Sequence, residues 1–418
     1  MGPPTPSRLA VGPPSAGRRN PAPTGLAQPA VLPSIPLLQG YYFVSLGALA
    51  AVIPFLAARL ESAGLDGRAI GLLLAMLPLG RLVSAPLWGW LADRYRMAGT
   101  LLRVGSGLGL LGGLLLLWAA NPVFGALGLF LFAAGRTPVG PLVDTFVLQA
   151  LSKPPHDPRE YGKVRLWGSV GFLGLAVVAG VVADAGFDPM YLGIALLAVT
   201  FVLAFRFPTR GTGGPAPIGP ALVALAKQPF LVPLLGMACL QALTLSVYDT
   251  FFSAHVQALG LSASVTAAAV ALGVACEITV MHFGRPLLAR VGTPTALLVA
   301  AAIAVPRWWL TATVTDPVAL VAVQALHGIS FGVFWIAGVQ LMAERAPVQV
   351  SASAQSLFNA ASYGVGALFG SVLAGEVRDA FGTAAVFTAL TVVSCGATAF
   401  AVWLVVRERA AGRLRSAA

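Results

Sequence analysis

The sequence predicts an all-α membrane protein that crosses the bilayer twelve times, arranged as two pseudo-symmetric halves of six helices. Three observations carry that prediction. Of 418 residues, 57% are hydrophobic and only 10% are charged, with a mean hydropathy of +0.84. A soluble domain coats itself with about 25% charged residues, so this surface faces something other than water. Second, apolar runs long enough to span hydrocarbon recur along the chain, each needing about 20 residues. Third, the runs fall into two blocks of six separated by a polar connection. A closed barrel would need short alternating strands, and stretches such as Leu108–Trp118 do not alternate.

The elements follow in order. Residues 1–34 form a Pro-, Gly- and Ala-rich segment carrying Arg8, Arg18 and Arg19. It has no apolar h-region, so it reads as a disordered cytoplasmic tail, not a cleavable signal. The first half, 35–206, holds spans near 36–58, 69–91, 99–119, 123–149, 165–183 and 190–206. Residues 207–228 are a Pro/Gly-rich cytoplasmic linker. The second half, 229–407, holds spans near 229–252, 263–283, 294–313, 318–342, 352–374 and 384–406, and 408–418 form a cytoplasmic tail. The 47 glycines suit helices that pack closely in lipid, as at Gly366-x-x-x-Gly370.

Charge sets the orientation. With the N-terminus in the cytoplasm, inward segments hold 20 of the 26 basic residues. Outward loops hold three (Arg59, Arg68, Arg378), and three more lie within spans (Arg81, Arg136, Arg307). Both termini are therefore expected in the cytoplasm. The net charge of +11 is spread over many short loops, as positive-inside topology requires, which argues against a nucleic-acid partner. Cys239, Cys276 and Cys395 all lie in apolar runs, so neither a disulfide framework nor a metal site is expected.

Ionisable residues inside lipid are costly and mark function. The spans contain Arg81, Arg136 and Arg307 against Asp144, Asp249 and Glu277, with His327 as a further titratable group. Their formal charges sum to zero, so internal pairing is the cheapest arrangement, with or without a role in transport. The expected pairs are Glu277 with Arg307 and Arg136 with Asp144, Arg81–Asp144 being an alternative. Arg81 and Asp249 lie in different halves and at different depths, and are not expected to pair directly. Two helical stripes read as cavity walls: Gln241, Thr244, Tyr248 and Phe251 in the seventh span, and Gln324, His327, Phe331 and Trp335 in the tenth. Tyr248 and Phe251, near a helix end, also suit a lipid-interface belt.

The loop after the second span reads Gly89-Trp-Leu-Ala-Asp93-Arg94, with a worn copy, Gly284-Arg-Pro-Leu-Leu-Ala-Arg290, after the eighth. The first resembles the signature of the major facilitator superfamily, and the repeat suggests duplication. The resemblance implies a cytoplasmic gate at Gly89, Asp93 and Arg94, with Asp93 capping the eleventh helix near Ser351. This chain continues with Tyr95-Arg96-Met97 in place of the usual Gly and further basic residues. Within the superfamily it looks most like the phenylpropionate permease group, relatives of the lactose permease. The marks are Arg81…Pro86-Leu-Trp-Gly89, Pro141-Leu-Val-Asp144, Tyr161-Gly-Lys-Val-Arg165-Leu-Trp-Gly168, Glu277, Arg307-Trp308 and Leu326-His327-Gly-Ile-Ser-Phe-Gly332. That likeness implies a proton-coupling cluster of Glu277, Arg307 and His327, and a substrate cavity walled by the first, fourth, seventh and tenth helices. The lactose permease carries a second carboxylate three residues after its His, where this chain has Ser330. The fifth span has Gly168, Gly171, Gly174 and Gly180 but lacks the Gly-Pro pair of drug/proton antiporters.

The resulting expectation is a proton-coupled importer of a small organic solute, such as an aromatic or other carboxylic acid, in a bacterial-type inner membrane. It would act as a monomer with the proton gradient as energy source and no cofactor. Alternatives are a sugar or nucleoside symporter, a drug/proton antiporter, or a membrane sensor derived from a transporter. An enzyme is disfavoured: the four His form no His-x-x-x-His pair, no Cys-x-x-Cys occurs, and no Gly-x-x-x-x-Gly-Lys-[Ser/Thr] loop offers ATP drive.

Overall fold

The computed structural model describes residues 32–95, 97–151, 160–209, 230–345 and 357–416, with positions 2 and 228 besides; the side chains at 89, 92–94, 285, 287, 289 and 410–416 fall outside it. The first six spans are α1 (Ile35–Ser62), α2 (Gly67–Trp88), α3 (Ala98–Trp118), α4 (Pro122–Leu151), α5 (Tyr161–Asp184) and α6 (Pro189–Ala204). The second six are α7 (Leu231–Ala258), α8 (Ala263–Gly284), α9 (Thr293–Thr313), α10 (Pro317–Arg345), α11 (Leu357–Phe381) and α12 (Thr383–Arg409). Among the described residues, eleven of these are long and apolar enough to cross a membrane, and α6 is an apolar helix of 16 residues.

Local chemistry starts several helices. Asn121, Asp188 and Asp316 each cap a backbone N–H of the next turn, and each is followed by proline at the first helical position. Proline has no N–H to lose there, so Asx-Pro is a compact start signal. Two of these starts, at α4 and α10, lie six helices apart. The α1–α2 and α7–α8 turns repeat likewise, each through a glycine at positive φ, Gly64 (87°) and Gly260 (73°).

Packing repeats with the same offset. In the first half α1 packs on α5 and α6, α3 on α4 and α6, and α2 on α4. In the second half α7 packs on α11 and α12, α9 on α10 and α12, and α8 on α10. The halves meet through α1–α7 and two related contacts, α2–α11 and α5–α8. Glycine permits the tightest approaches: a Cβ on Gly366 would sit 1.9 Å from the Cys239 carbonyl oxygen, and one on Gly171 would sit 2.2 Å from that of Phe43.

The halves are bonded together at the end remote from the termini. Asp379, at the end of α11, accepts from the first N–H groups of α2, Gly67 (2.6 Å) and Arg68 (2.7 Å). Asp184, at the end of α5, accepts from those of α8, Ala263 (2.6 Å) and Ser264 (3.0 Å). Arg378 pairs with Glu61, and Arg68 with Glu376 at 3.0 Å. One apolar core, containing Leu56, Leu60, Leu74, Phe251, Phe252, Trp308 and Phe387, is shared by both halves. Two others belong to single halves, one around Leu38, Tyr41 and Phe146, the other around Leu234, Leu297 and Phe334.

Candidate functional site

The helices around the centre of the bundle are interrupted. A 3₁₀ turn breaks α1 at Ile53–Phe55, where Pro54 removes an N–H donor. In α10 a π-helical segment occupies Gly328–Val333, and in α11 another occupies Ala361–Val365. Such π-bulges release backbone groups from the regular ladder and concentrate at functional sites. At the α10 bulge the Ser330 carbonyl accepts Nε2 of Gln241 from α7 at 2.8 Å. Gly328 and Gly332 lie against Cys276, Glu277 and Val280 of α8, which brings His327 within reach of Glu277.

Three members of the expected coupling cluster are thus gathered, with different partners. Glu277 pairs with His327, Oε2 to Nε2 at 3.3 Å, and not with Arg307. Arg307, 1% exposed, donates from Nε and Nη2 to Gln324 Oε1 (3.3 and 3.1 Å) and from Nη1 to the Ser330 hydroxyl (3.2 Å). Its guanidinium also lies over the Trp308 and Tyr248 rings, 4.0 and 4.6 Å from their centroids. Gln324 is oriented by the Thr311 hydroxyl, to which its Nε2 donates at 3.1 Å. A planar fork held against two adjacent rings and bonded to neutral oxygens explains why the charge is tolerated there without a carboxylate.

The second expected pair is also replaced. Arg136 donates from Nη2 to the Ser45 carbonyl (2.8 Å) and hydroxyl (2.7 Å), while its buried Nε and Nη1 have no partner. Asp144 accepts instead from Tyr42. Arg136 and Asp144 are eight residues apart, but α4 breaks between them at Thr137-Pro138, so ideal helical spacing no longer applies. Arg81 and Asp249, not expected to pair directly, form no ion pair within 4 Å among the described residues. They line one cavity of about 70 Å³ between α1, α2, α7 and α11, with Ser246, Thr250, Ser362 and Tyr363. Their helix positions differ by about 7 Å in depth, taking 1.5 Å per residue from the remote end. Among the described residues, none of Arg81, Arg136 and Arg307 has a carboxylate within 4 Å.

The aromatic stripe on α10 forms a wall. His327 stacks on Phe331 (5.3 Å), Phe331 on Trp335 (6.2 Å), and Trp335 meets Tyr363 of α11 at 5.2 Å. The α7 stripe turns inward as well: Gln241, Thr244, Tyr248 and Phe251 are all buried, so Tyr248 and Phe251 are core residues and not a lipid belt. Thr244 is engaged within its own helix, donating to the Gln241 carbonyl. Gly89, Asp93 and Arg94 have no described side chains, and Ser351 also lies outside the described residues. Sequence reasoning missed Tyr363, Thr311 and Ser45. Tyr363 sits in the small-residue run Ala360–Gly366, and a lone aromatic there was its one available signal. His255 is buried between the Thr383 hydroxyl and the Thr311 carbonyl, each 3.0 Å away.

The chain is similar to several transporters. It is 27% identical to the maltose permease of Geobacillus stearothermophilus over 89% of this chain and 95% of that protein. It is 29% identical to a protein of Escherichia coli named "Probable 3-phenylpropionic acid transporter", over 83% and 91%. The crystal structure of the nucleoside transporter NupG superposes with a TM-score of 0.77 at 19% identity, covering 89% of this chain and 98% of that one, which shows a shared fold. The model of the MFS_1 like family matches residues 36–389. With its two six-helix halves and that match, the chain belongs to the MFS_1 like family of multi-pass membrane transporters and is not an enzyme.

Proposed function

We propose that the protein is a proton-coupled symporter that takes up a small organic anion, an aromatic or other carboxylic acid, by alternating access. The observation that carries this reading is two guanidiniums deep in the bundle with no carboxylate within 4 Å among the described residues: Arg81, which faces the central cavity, and Arg136, whose Nε and Nη1 have no partner. In a low-dielectric cavity a guanidinium binds carboxylates strongly and with defined geometry. The wall of Phe331, Trp335 and Tyr363 offers an apolar face for an aromatic ring. Glu277, whose Oε2 lies 3.3 Å from His327 Nε2, is the carboxylate assigned to the coupled proton. The likeness to a protein named for 3-phenylpropionic acid supports the substrate class.

A second reading, a neutral sugar, is favoured by the maltose permease relative and by the same aromatic wall, which would stack a sugar ring equally well. Purified protein in liposomes distinguishes the two. Labelled 3-phenylpropionate should accumulate when the outside is acidic, and a protonophore should collapse the gradient. Glu277→Gln should lower the number of protons moved per solute. Saturable maltose uptake that aromatic acids do not inhibit would replace the anion reading.

A further inference from the structure

The cavity shared by Arg81 and Asp249 joins the two halves: Arg81 belongs to α2, Asp249 to α7, and Ile53 of α1 and Tyr363 of α11 complete its walls. Both charged residues are exposed to this space, and neither has an ion-pair partner within 4 Å among the described residues. Much of the lining is apolar, from Ile53, Leu77, Pro78, Ala242, Leu245 and Ala367. The charged or titratable groups that act on Asp249 are Arg81 from α2, Glu277 from α8 and Arg307 from α9, with the hydroxyls of Tyr363 on the α11 side and of Tyr248 on its own helix. α1 contributes no titratable group to the cavity.

We infer that Asp249 is a second proton-carrying carboxylate, whose proton affinity is set by its distance from Arg81. This rests on the proton-symport reading above. Arg81 and Asp249 sit on opposite sides of the seam that parts when the remote end of the bundle opens. Separation of α2 from α7 withdraws the guanidinium and leaves a carboxylate in a cavity half lined by apolar side chains. Such a carboxylate takes a proton from the solvent it now faces. Closure of that end returns the guanidinium, the neutral acid gives up its proton to water, and the carboxylate is left facing a cation. The sign suits symport: the proton is taken at the remote face and released at the other. Two protons carried with one monoanion leave a net charge of +1 per cycle, so transport responds to membrane potential.

The test uses the full-length protein in liposomes, with labelled 3-phenylpropionate and an entrapped pH dye. The ratio of protons to solute is independent of how much activity a variant retains. It should fall from about two to about one in Asp249→Asn, transport should become electroneutral, and Asp249→Glu should restore both. Arg81→Gln should move the pH dependence of uptake upward by about one unit or more, because an opposite charge nearby lowers a carboxyl pKa by about one to three units. That shift should vanish when Asp249→Asn is added. An unchanged ratio in Asp249→Asn, an inactive Asp249→Glu, or an Arg81→Gln shift that persists without the carboxylate would each overturn the inference. Loss in Asp249→Asn alone leaves the symport reading standing, whereas a wild-type protein that moves solute without protons removes both.

Discussion

Removing the two carboxylates that tie the halves together at the remote end should open the central cavity to that side. The perturbation is Asp184→Asn combined with Asp379→Asn. Each aspartate accepts two backbone N–H bonds, at 2.6 and 3.0 Å for Asp184 and at 2.6 and 2.7 Å for Asp379, from the first turn of a helix in the other half. A carboxylate at a helix N-terminus contributes about 1 kcal/mol at a partly exposed site. Asparagine keeps one acceptor but loses the charge and the second bond. The Arg68–Glu376 pair, with side chains 70% and 52% exposed, adds little. The two caps are separate in space and should add, giving about 2 kcal/mol, or about 30-fold in the closed-to-open ratio. The assay is labelling of Ser246→Cys, a cavity position on α7, by an impermeant maleimide from outside, with Cys239, Cys276 and Cys395 replaced by alanine. Each single variant should raise the rate about fivefold and the double about thirtyfold. A double variant that labels no faster than its parent would refute the latch, and a rise from only one variant would refute its two-fold character.

Reporter fusions after Lys227 and after Ala418 should both read cytoplasmic and one near Asp316 outside, as the 20-to-3 asymmetry of basic residues requires; the reverse pattern would invert the topology. Gly366→Leu should cost several kcal/mol, seen as loss of folded protein in detergent melting, because α7 and α11 touch backbone to backbone there. Gly174→Ala on α5, where nothing lies within 4 Å of the added carbon, should melt within a few degrees of the parent.

Span number, order and the two-half plan were legible because each follows from local properties of the chain. An apolar run of sufficient length must form a helix in lipid, since every backbone polar group needs a partner within its own segment. The expected starts of α4, α6 and α10, at 123, 190 and 318, lie one residue from the observed ones, each of which follows an Asx cap. The membership of the site was partly legible for a related reason: charges within lipid are rare enough to be conspicuous, and six of them with His327 pointed at the centre. Their pairing was not legible. Depth along a straight helix set Arg81 apart from Asp249, and spacing along one helix joined Arg136 to Asp144. The first held as to pairing, since Arg81 and Asp249 share a cavity without an ion pair within 4 Å among the described residues; the second failed where a broken helix intervened.

By itself, then, the sequence determined a twelve-helix membrane transporter with intramembrane charges and an aromatic stripe on α10. Only the tertiary structure decided which charge meets which group. The α10 π-bulge turned His327 to Glu277 and gave Ser330 to Arg307 and Gln241, and the approach of two halves set Arg81 and Asp249 in one cavity. The reason is physical: burial and helix formation are dictated by runs of neighbouring residues. Ion pairing, by contrast, falls off over a few ångströms and depends on bulges, breaks and crossing points that no single helix encodes.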